Sequence, residues 1–144
     1  MNDMGKQKIF YVLFFGMIIV NLLFYTKLPD QIPVHWNLNG QIDDYASKLF
    51  IFFPAVFLLL MKIGFAILKY IDPKGSNYER FKHTLEVIQL AVYLFIFCLW
   101  VITWVACFDP DLINISFMMS LLCGAVFTIM GNLMPKFKTN YFIG

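Results

Sequence analysis

The sequence predicts an all-α integral membrane protein with four transmembrane helices. Two features of its composition predict this class: 60% of the 144 residues are hydrophobic and only 14% are charged. An ordinary soluble domain is about 45–50% apolar and about 25% charged. A soluble domain of this size buries only about two-thirds of the surface that its unfolded chain exposes, so it could not hide so many apolar side chains. The composition therefore excludes a soluble globular enzyme, a disordered chain and a small disulfide-framed secreted protein.

Four apolar stretches are long enough to cross a bilayer, which takes about 20 residues of helix. They cover about residues 9–26, 49–68, 85–108 and 112–134. The first contains one strongly polar residue, Asn21, and the second is interrupted only by Lys62. We expect these helices to form a single membrane domain, a four-helix bundle that occupies residues 1–144.

The distribution of basic residues predicts the orientation of the bundle. Cytoplasmic segments of membrane proteins are enriched in Lys and Arg. One side of the four spans would carry eight such residues, which are Lys6, Lys8, Lys69, Lys74, Arg80, Lys82, Lys136 and Lys138. The other side would carry two, Lys27 and Lys48. This asymmetry places both termini in the cytoplasm, with a cytoplasmic loop at about 69–84 and an outer loop at 27–48.

The outer loop has the pattern of an ordered segment. Pro29 and Pro33 favour extended backbone before them. Asn39-Gly40 is a strong signal for a tight turn, in which we expect Gly40 to take a positive φ. The sequence therefore predicts an extended arm, a turn and a return to the second helix.

The same loop holds the candidate chemical groups outside the membrane. His35 and Asp43 could act in acid–base chemistry or bind a metal, but zinc normally takes three or four ligands. A general base also needs a nucleophile or water site beside it. We therefore predict no catalytic residue, no metal and no cofactor, and we expect the two side chains to fix the shape of the loop. Trp36 and Tyr45 are expected at the level of the lipid headgroups.

Lys62 is the conspicuous charge inside the membrane. It lies seven residues before Lys69, which is about 10 Å along a helix. One interpretation is an ion or proton pathway that pairs Lys62 with Glu86. The other is a long side chain that snorkels to the headgroups, or a plain ion pair.

The fourth span carries small or polar residues at every fourth position: Ser116, Ser120, Gly124, Thr128 and Asn132. Such a stripe allows another helix to approach closely in lipid. The neighbouring helix would belong either to the same bundle or to a second copy, as in a homo-oligomer.

Two motifs resemble a known bacterial family. The first consists of outer-loop residues Leu28, Pro29, Ile32, Pro33, His35, Trp36, Asn37, Gly40, Asp43, Tyr45 and Lys48. It resembles a membrane domain of unknown function that often forms the front part of SdpI-like immunity proteins. The second consists of C-terminal residues Gly131, Asn132, Pro135, Lys136, Asn140 and Gly144, and it resembles a segment of the same family.

The resemblance implies a small protein of the bacterial cell membrane that gives immunity to a membrane-active peptide toxin, or senses one, by binding rather than catalysis. Its partners would be the lipid bilayer, the peptide on the outer side and a cytoplasmic regulator. The net charge of only +2 argues against nucleic acid. The alternative is a small transporter or ion-conducting subunit that uses Lys62 and Glu86. A membrane enzyme that uses His35 and Asp43 ranks last.

Overall fold

Four long helices carry most of the chain. In the computed structural model, which describes residues 3–71 and 75–134, they are α1 (Asp3–Phe24), α2 (Phe53–Ile71), α3 (Gly75–Phe108) and α4 (Ile115–Leu133). Four stretches in these described ranges are long and apolar enough to cross a membrane, namely Gln7–Lys27, Lys48–Ile67, Lys82–Phe108 and Ile115–Leu133. The predicted spans are therefore confirmed by length and composition. The cytoplasmic location of both termini stays a prediction.

Several helix boundaries differ from the predicted span boundaries. The predicted cytoplasmic connection at about 69–84 is partly helical, because α2 runs to Ile71 and α3 already begins at Gly75. Its place outside the membrane stays a prediction. Charged residues such as Lys, Arg and Glu are good helix formers, so a helix continues beyond its apolar stretch. The fourth helix begins at Ile115 rather than at 112, because the Asn114 side chain accepts a hydrogen bond from the Phe117 N–H at 3.0 Å and caps the helix.

A β-hairpin separates α1 from α2, so the chain is mostly helical rather than all-α. Strand β1 (Gln31–Trp36) pairs antiparallel with β2 (Ile42–Ser47). Short 3-10 turns at Tyr25–Lys27 and Lys48–Phe52 connect the hairpin to the helices. The predicted arm, turn and return arm are confirmed as these two strands and the turn between them.

The root of the hairpin belongs to the core of the bundle. Ile32 of β1 and Ile51 of the second 3-10 turn have no exposed surface, like Met17 of α1 and Leu58 of α2. In lipid such burial contributes through close van der Waals packing, because the lipid chains are as apolar as these side chains. The same core includes residues from α3, so three helices and the hairpin share one apolar cluster. The hairpin is therefore anchored at its base.

Large apolar side chains cover the outside of the helices. Val12 on α1 and Phe127 on α4 are both 71% exposed, and Leu23 is 69% exposed. A soluble protein rarely presents so much contiguous apolar surface, whereas a bilayer covers it. The exposed surface thus agrees with four membrane-spanning helices.

Candidate functional site

Asn37 organises the tip of the hairpin. Its backbone N–H donates to the Gln41 carbonyl at 2.9 Å, and its own carbonyl accepts from the Gly40 N–H at 2.9 Å. Its side-chain oxygen also accepts from the backbone N–H groups of Asn39, at 2.9 Å, and Gln41, at 3.0 Å. Gly40 has φ +77°, as predicted. The turn extends over Leu38–Gly40, because a left-handed residue after a turn closes a three-residue hairpin loop.

The tip of the hairpin lies against the first turn of α4. The Ser116 hydroxyl donates to the Leu38 carbonyl at 3.4 Å. A Cβ atom on Gly40 would lie only 2.7 Å from the Ser116 Oγ atom. Two features therefore favour glycine at position 40: the left-handed backbone conformation and the close approach of Ser116. The contact also places the α3–α4 connection at the same end of the bundle as the hairpin.

His35 and Asp43 join the two arms of the hairpin. The Nδ1 atom of His35 lies 2.6 Å from Oδ1 of Asp43, and the two side chains are 66% and 42% exposed. The strands slip out of regular register on either side of His35, whose Cα partner is Asp44. Among residues 3–71 and 75–134, no group of three His, Cys, Asp or Glu residues could hold a metal ion. The geometry is that of a cross-strand pair that braces an exposed hairpin.

Asp30 and Lys48 close the root of the hairpin. The Lys48 Nζ atom lies 2.8 Å from Asp30 Oδ1, and the Lys48 N–H donates to the Asp30 carbonyl at 3.0 Å. The hydrogen bond from Lys48 and its positive charge hold the pKa of the Asp30 carboxyl below its usual value. The Lys48 ammonium also lies 5.4 Å from the centre of the Tyr25 ring. Lys48, one of the predicted loop residues, thus joins the start of the first strand to the end of the second at the root of the hairpin.

One outward-facing position on each edge of the hairpin offers no free backbone donor. Asp30 and Lys48 form a hydrogen-bonded pair, so the backbone groups of Pro33 and Tyr45, three residues further along each strand, point away from the partner strand. Pro33 is buried and has no N–H to donate. The Tyr45 N–H is bound by the Asp44 carboxylate at 2.9 Å. Trp36 forms the last pair before the turn, opposite Ile42.

Asn21 is the centre of a buried cluster of hydrogen bonds. Its Nδ2 donates to the Ile51 carbonyl at 3.0 Å, and its Oδ1 accepts from the indole N–H groups of Trp100, at 2.9 Å, and Trp104, at 3.0 Å. Asn21 has no exposed surface. The sequence analysis identified Asn21 as the polar residue of the first span, but it did not identify the residues that Asn21 binds. The available signal was the pair of Trp residues four apart, which lie on one face of a helix.

Lys62 contacts aromatic rings. Its ammonium lies 3.9 Å from the centre of the Phe10 ring and 4.0 Å from that of Tyr11. Phe10 is buried and also packs against Tyr93 of α3, with 5.3 Å between ring centres. Lys62 thus connects α2 to α1 through cation–π contacts. The pair of Lys62 with Glu86 stays a prediction.

The predicted stripe on α4 is only partly engaged. Besides the contact of Ser116 with the hairpin, the hydroxyls of Ser120 and Thr128 donate to the carbonyls of Ser116 and Gly124 in their own helix, at 2.8 and 2.7 Å. Apart from its chain neighbours and its own helix backbone, no described atom lies within 4 Å of a Cβ placed on Gly124. A helix partner for this stripe stays a prediction.

The C-terminal motif falls mostly beyond the described chain. Gly131 and Asn132 are exposed in the last turn of α4. The other four residues of the motif, Pro135, Lys136, Asn140 and Gly144, lie outside the described residues.

One segment of the chain matches a known domain family. Residues 12–59 match the family model described as Domain of unknown function (DUF1648). The match runs from α1 through the whole hairpin to α2, so it includes Asn21, the hairpin motif and Ile51. No curated protein and no solved structure matches the chain. The predicted membrane domain of unknown function is thus supported for this segment, and the link to SdpI-like proteins stays a prediction.

Proposed function

We propose that this chain is a small multi-pass protein of the bacterial cell membrane that binds a membrane-active peptide on its outer face. Binding would protect the cell from the peptide or report its presence. The observation that carries the proposal is a β-hairpin that is rooted in the core of the bundle through Ile32 and presents its tip at one end of four apolar helices. A ligand that arrives from the outer side meets this hairpin first.

The charge of this end favours a cationic ligand. The two connections at the hairpin end carry five acidic residues and two basic ones, a net charge of −3. Asp30 and Asp43 are already engaged by Lys48 and His35. The remaining acids are Asp44, Asp109 and Asp111, for which no ion pair is seen among the described side chains. Charge complementarity of this kind steers a partner of opposite sign to its site.

The exposed apolar groups favour a peptide that is also amphipathic. Leu38, at the tip, is fully exposed, and Tyr45 on β2 is 52% exposed. Backbone addition of a peptide strand is less favourable at Pro33, which lacks an N–H, and at Tyr45, whose N–H is already bound by Asp44. We therefore expect recognition through side chains, by acidic groups together with Leu38 and Tyr45.

A survival assay with two peptides of opposite charge tests the proposal. Susceptible bacteria that express the chain are challenged with a synthetic amphipathic peptide of Lys and Leu, and in parallel with a matched peptide of Glu and Leu. Expression should raise several-fold the concentration of the Lys–Leu peptide that stops growth, without changing that of the Glu–Leu peptide. The triple variant Asp44→Asn, Asp109→Asn, Asp111→Asn should lose this protection. Gly124→Ala, on the open face of α4, should keep it.

The assay also separates this proposal from the alternatives. Equal sensitivity with and without the chain would contradict peptide binding. An ion flux in liposomes that depends on Lys62 would instead support the transporter alternative. Protection that requires His35, Asp43 and added zinc would support a metal-dependent enzyme.

A further inference from the structure

We infer that the hairpin and α4 move together, with the contact of Ser116 with the hairpin tip as the link, so that a ligand on the hairpin shifts α4. This inference rests on the proposed function, since it assigns a consequence to peptide binding there. It starts from an asymmetry in how the hairpin is held. The root is fully buried at Ile32 and Ile51, whereas the tip is joined to the bundle through the Ser116 hydrogen bond.

The contact between Ser116 and the hairpin tip involves a residue that a ligand can reach. The Leu38 side chain is fully exposed, while the carbonyl of the same residue accepts the Ser116 hydrogen bond at 3.4 Å. A ligand that contacts Leu38 therefore acts on the residue that binds α4. Little space separates Gly40 from α4, because a Cβ there would lie 2.7 Å from the Ser116 Oγ and 3.5 Å from the Ser116 backbone nitrogen. A displacement of the tip towards α4 that exceeds what rotation of the Ser116 side chain absorbs is taken up by α4 or by the turn.

The turn is braced by its own hydrogen bonds. Asn37 holds it with two backbone and two side-chain hydrogen bonds. In contrast, the buried residues of α4 are Ile115 and Leu133, at its two ends, and α4 packs on α3. The Ser120 and Thr128 hydroxyls bind carbonyls of the preceding turn, a pattern that bends helices. A push at Ser116 is therefore expected to tilt or bend α4 rather than to open the turn.

Distances between spin labels test the coupling without any ligand. The full chain, with Cys98, Cys107 and Cys123 replaced by Ala, is placed in lipid vesicles and labelled at exposed positions in pairs. The pair Leu60–Phe127 reports on α4, the pair Leu60–Leu38 on the tip, and the pair Leu60–Val12 on α1 as a reference. Gly40→Ala should move both Leu38 and Phe127 relative to Leu60, by about 1–2 Å for the helix. The reference distance should stay unchanged.

A second substitution distinguishes coupling from general damage. In the double variant Gly40→Ala, Ser116→Ala the Oγ atom is gone, so the Leu60–Phe127 distance should return towards that of the unmodified chain. Ser116→Ala alone should broaden the Leu60–Leu38 distances, because the tip has lost its hydrogen bond. Gly124→Ala, which has open space around it, should change no distance.

The outcomes separate this inference from the proposed function. If Gly40→Ala moves Leu38 but leaves the Leu60–Phe127 distance unchanged, or moves neither, the coupling is wrong even if the chain protects cells. If the variants shift α4, but the chain does not protect cells from the Lys–Leu peptide and the peptide does not shift α4, the coupling holds and the proposed ligand is wrong. Addition of the Lys–Leu peptide to the unmodified chain should change the Leu60–Phe127 distance.

Discussion

Trp100 donates its indole N–H to the Oδ1 atom of Asn21, 2.9 Å away, at a position where Asn21 has no exposed surface. The same oxygen accepts from Trp104, and the amide nitrogen donates to the Ile51 carbonyl. One side chain of α1 thereby joins α3 to the 3-10 turn on which the hairpin stands. A buried amide is stable only when it is satisfied in this way, since each unpaired polar group costs about 1–3 kcal/mol.

The first prediction concerns this cluster. Asn21→Ala removes the acceptor of both indole N–H groups and the donor to Ile51, so it should lower the free energy of unfolding by about 1–3 kcal/mol. Tryptophan fluorescence during detergent unfolding measures the change. Asn132→Ala is the matched control, because Asn132 is exposed in the last turn of α4. Equal stability of the two variants would show that the Asn21 hydrogen bonds contribute nothing net.

The second prediction concerns Gly40. Gly40→Ala forces a side chain into left-handed backbone, which costs about 1–2 kcal/mol, and adds the clash with Ser116. Hydrogen exchange of residues 31–47 should become faster. Gly124→Ala provides the control and should be neutral or stabilising, because Ala is a better helix former than Gly by about 0.8–1.0 kcal/mol. Unchanged exchange in Gly40→Ala would contradict the described tip.

The third prediction separates the two interpretations of Lys62. If its cation–π contacts dominate, Lys62→Met should cost about 0.5–2 kcal/mol, and Lys62→Arg should cost less because a guanidinium also stacks on rings. In a double-mutant cycle, Lys62→Met and Phe10→Leu should be less than additive. If Lys62 pairs with Glu86, the double variant Lys62→Met, Glu86→Gln should instead be more stable than either single variant.

The fourth prediction is a pH dependence at the root of the hairpin. The pKa of Asp30 is lowered by the hydrogen bond and positive charge of Lys48. The contribution of this pair to stability is therefore present at neutral pH and is lost as the pH falls through the lowered pKa. NMR titration should find this pKa below the usual range, and Lys48→Gln should raise it. Because the Asp30 side chain is 94% exposed, the effect on stability should be small. If Asp30 has an ordinary pKa and Lys48→Gln leaves that pKa unchanged, the ion pair between Asp30 and Lys48 does not form in solution.

The fifth prediction is the orientation in the membrane. In the variant without native cysteines, a cysteine at Gln41 should react with an impermeant thiol reagent on intact cells, and one at Ser76 should react only after lysis. The reason is the excess of Lys and Arg on the side that holds Ser76. Reversed labelling would place the hairpin in the cytoplasm and contradict peptide binding from outside.

Local features of the sequence were enough to predict the elements of this fold. A spanning helix depends on the summed hydropathy of about 20 successive residues, and all four stretches were recognisable from that sum. The turn was also recognisable, because the positive φ at Gly40 follows from the lack of a side chain at that residue. The site residues from Pro33 to Lys48 were found on the same basis, since they are contiguous in the chain.

The partners of these elements were decided only by the tertiary structure. Asn21 meets Trp100 across 79 positions of sequence, and Ser116 meets Leu38 across 78. In a soluble protein the apolar face of a helix indicates which side packs inward. A membrane helix is apolar on all sides, because lipid is as apolar as the core, so the sequence contains little information on which face meets which neighbour. Helix rotation and packing determine these contacts. They decide whether the Asn21 amide finds hydrogen-bond partners, whether Lys62 meets two aromatic rings, and whether the hairpin tip contacts α4.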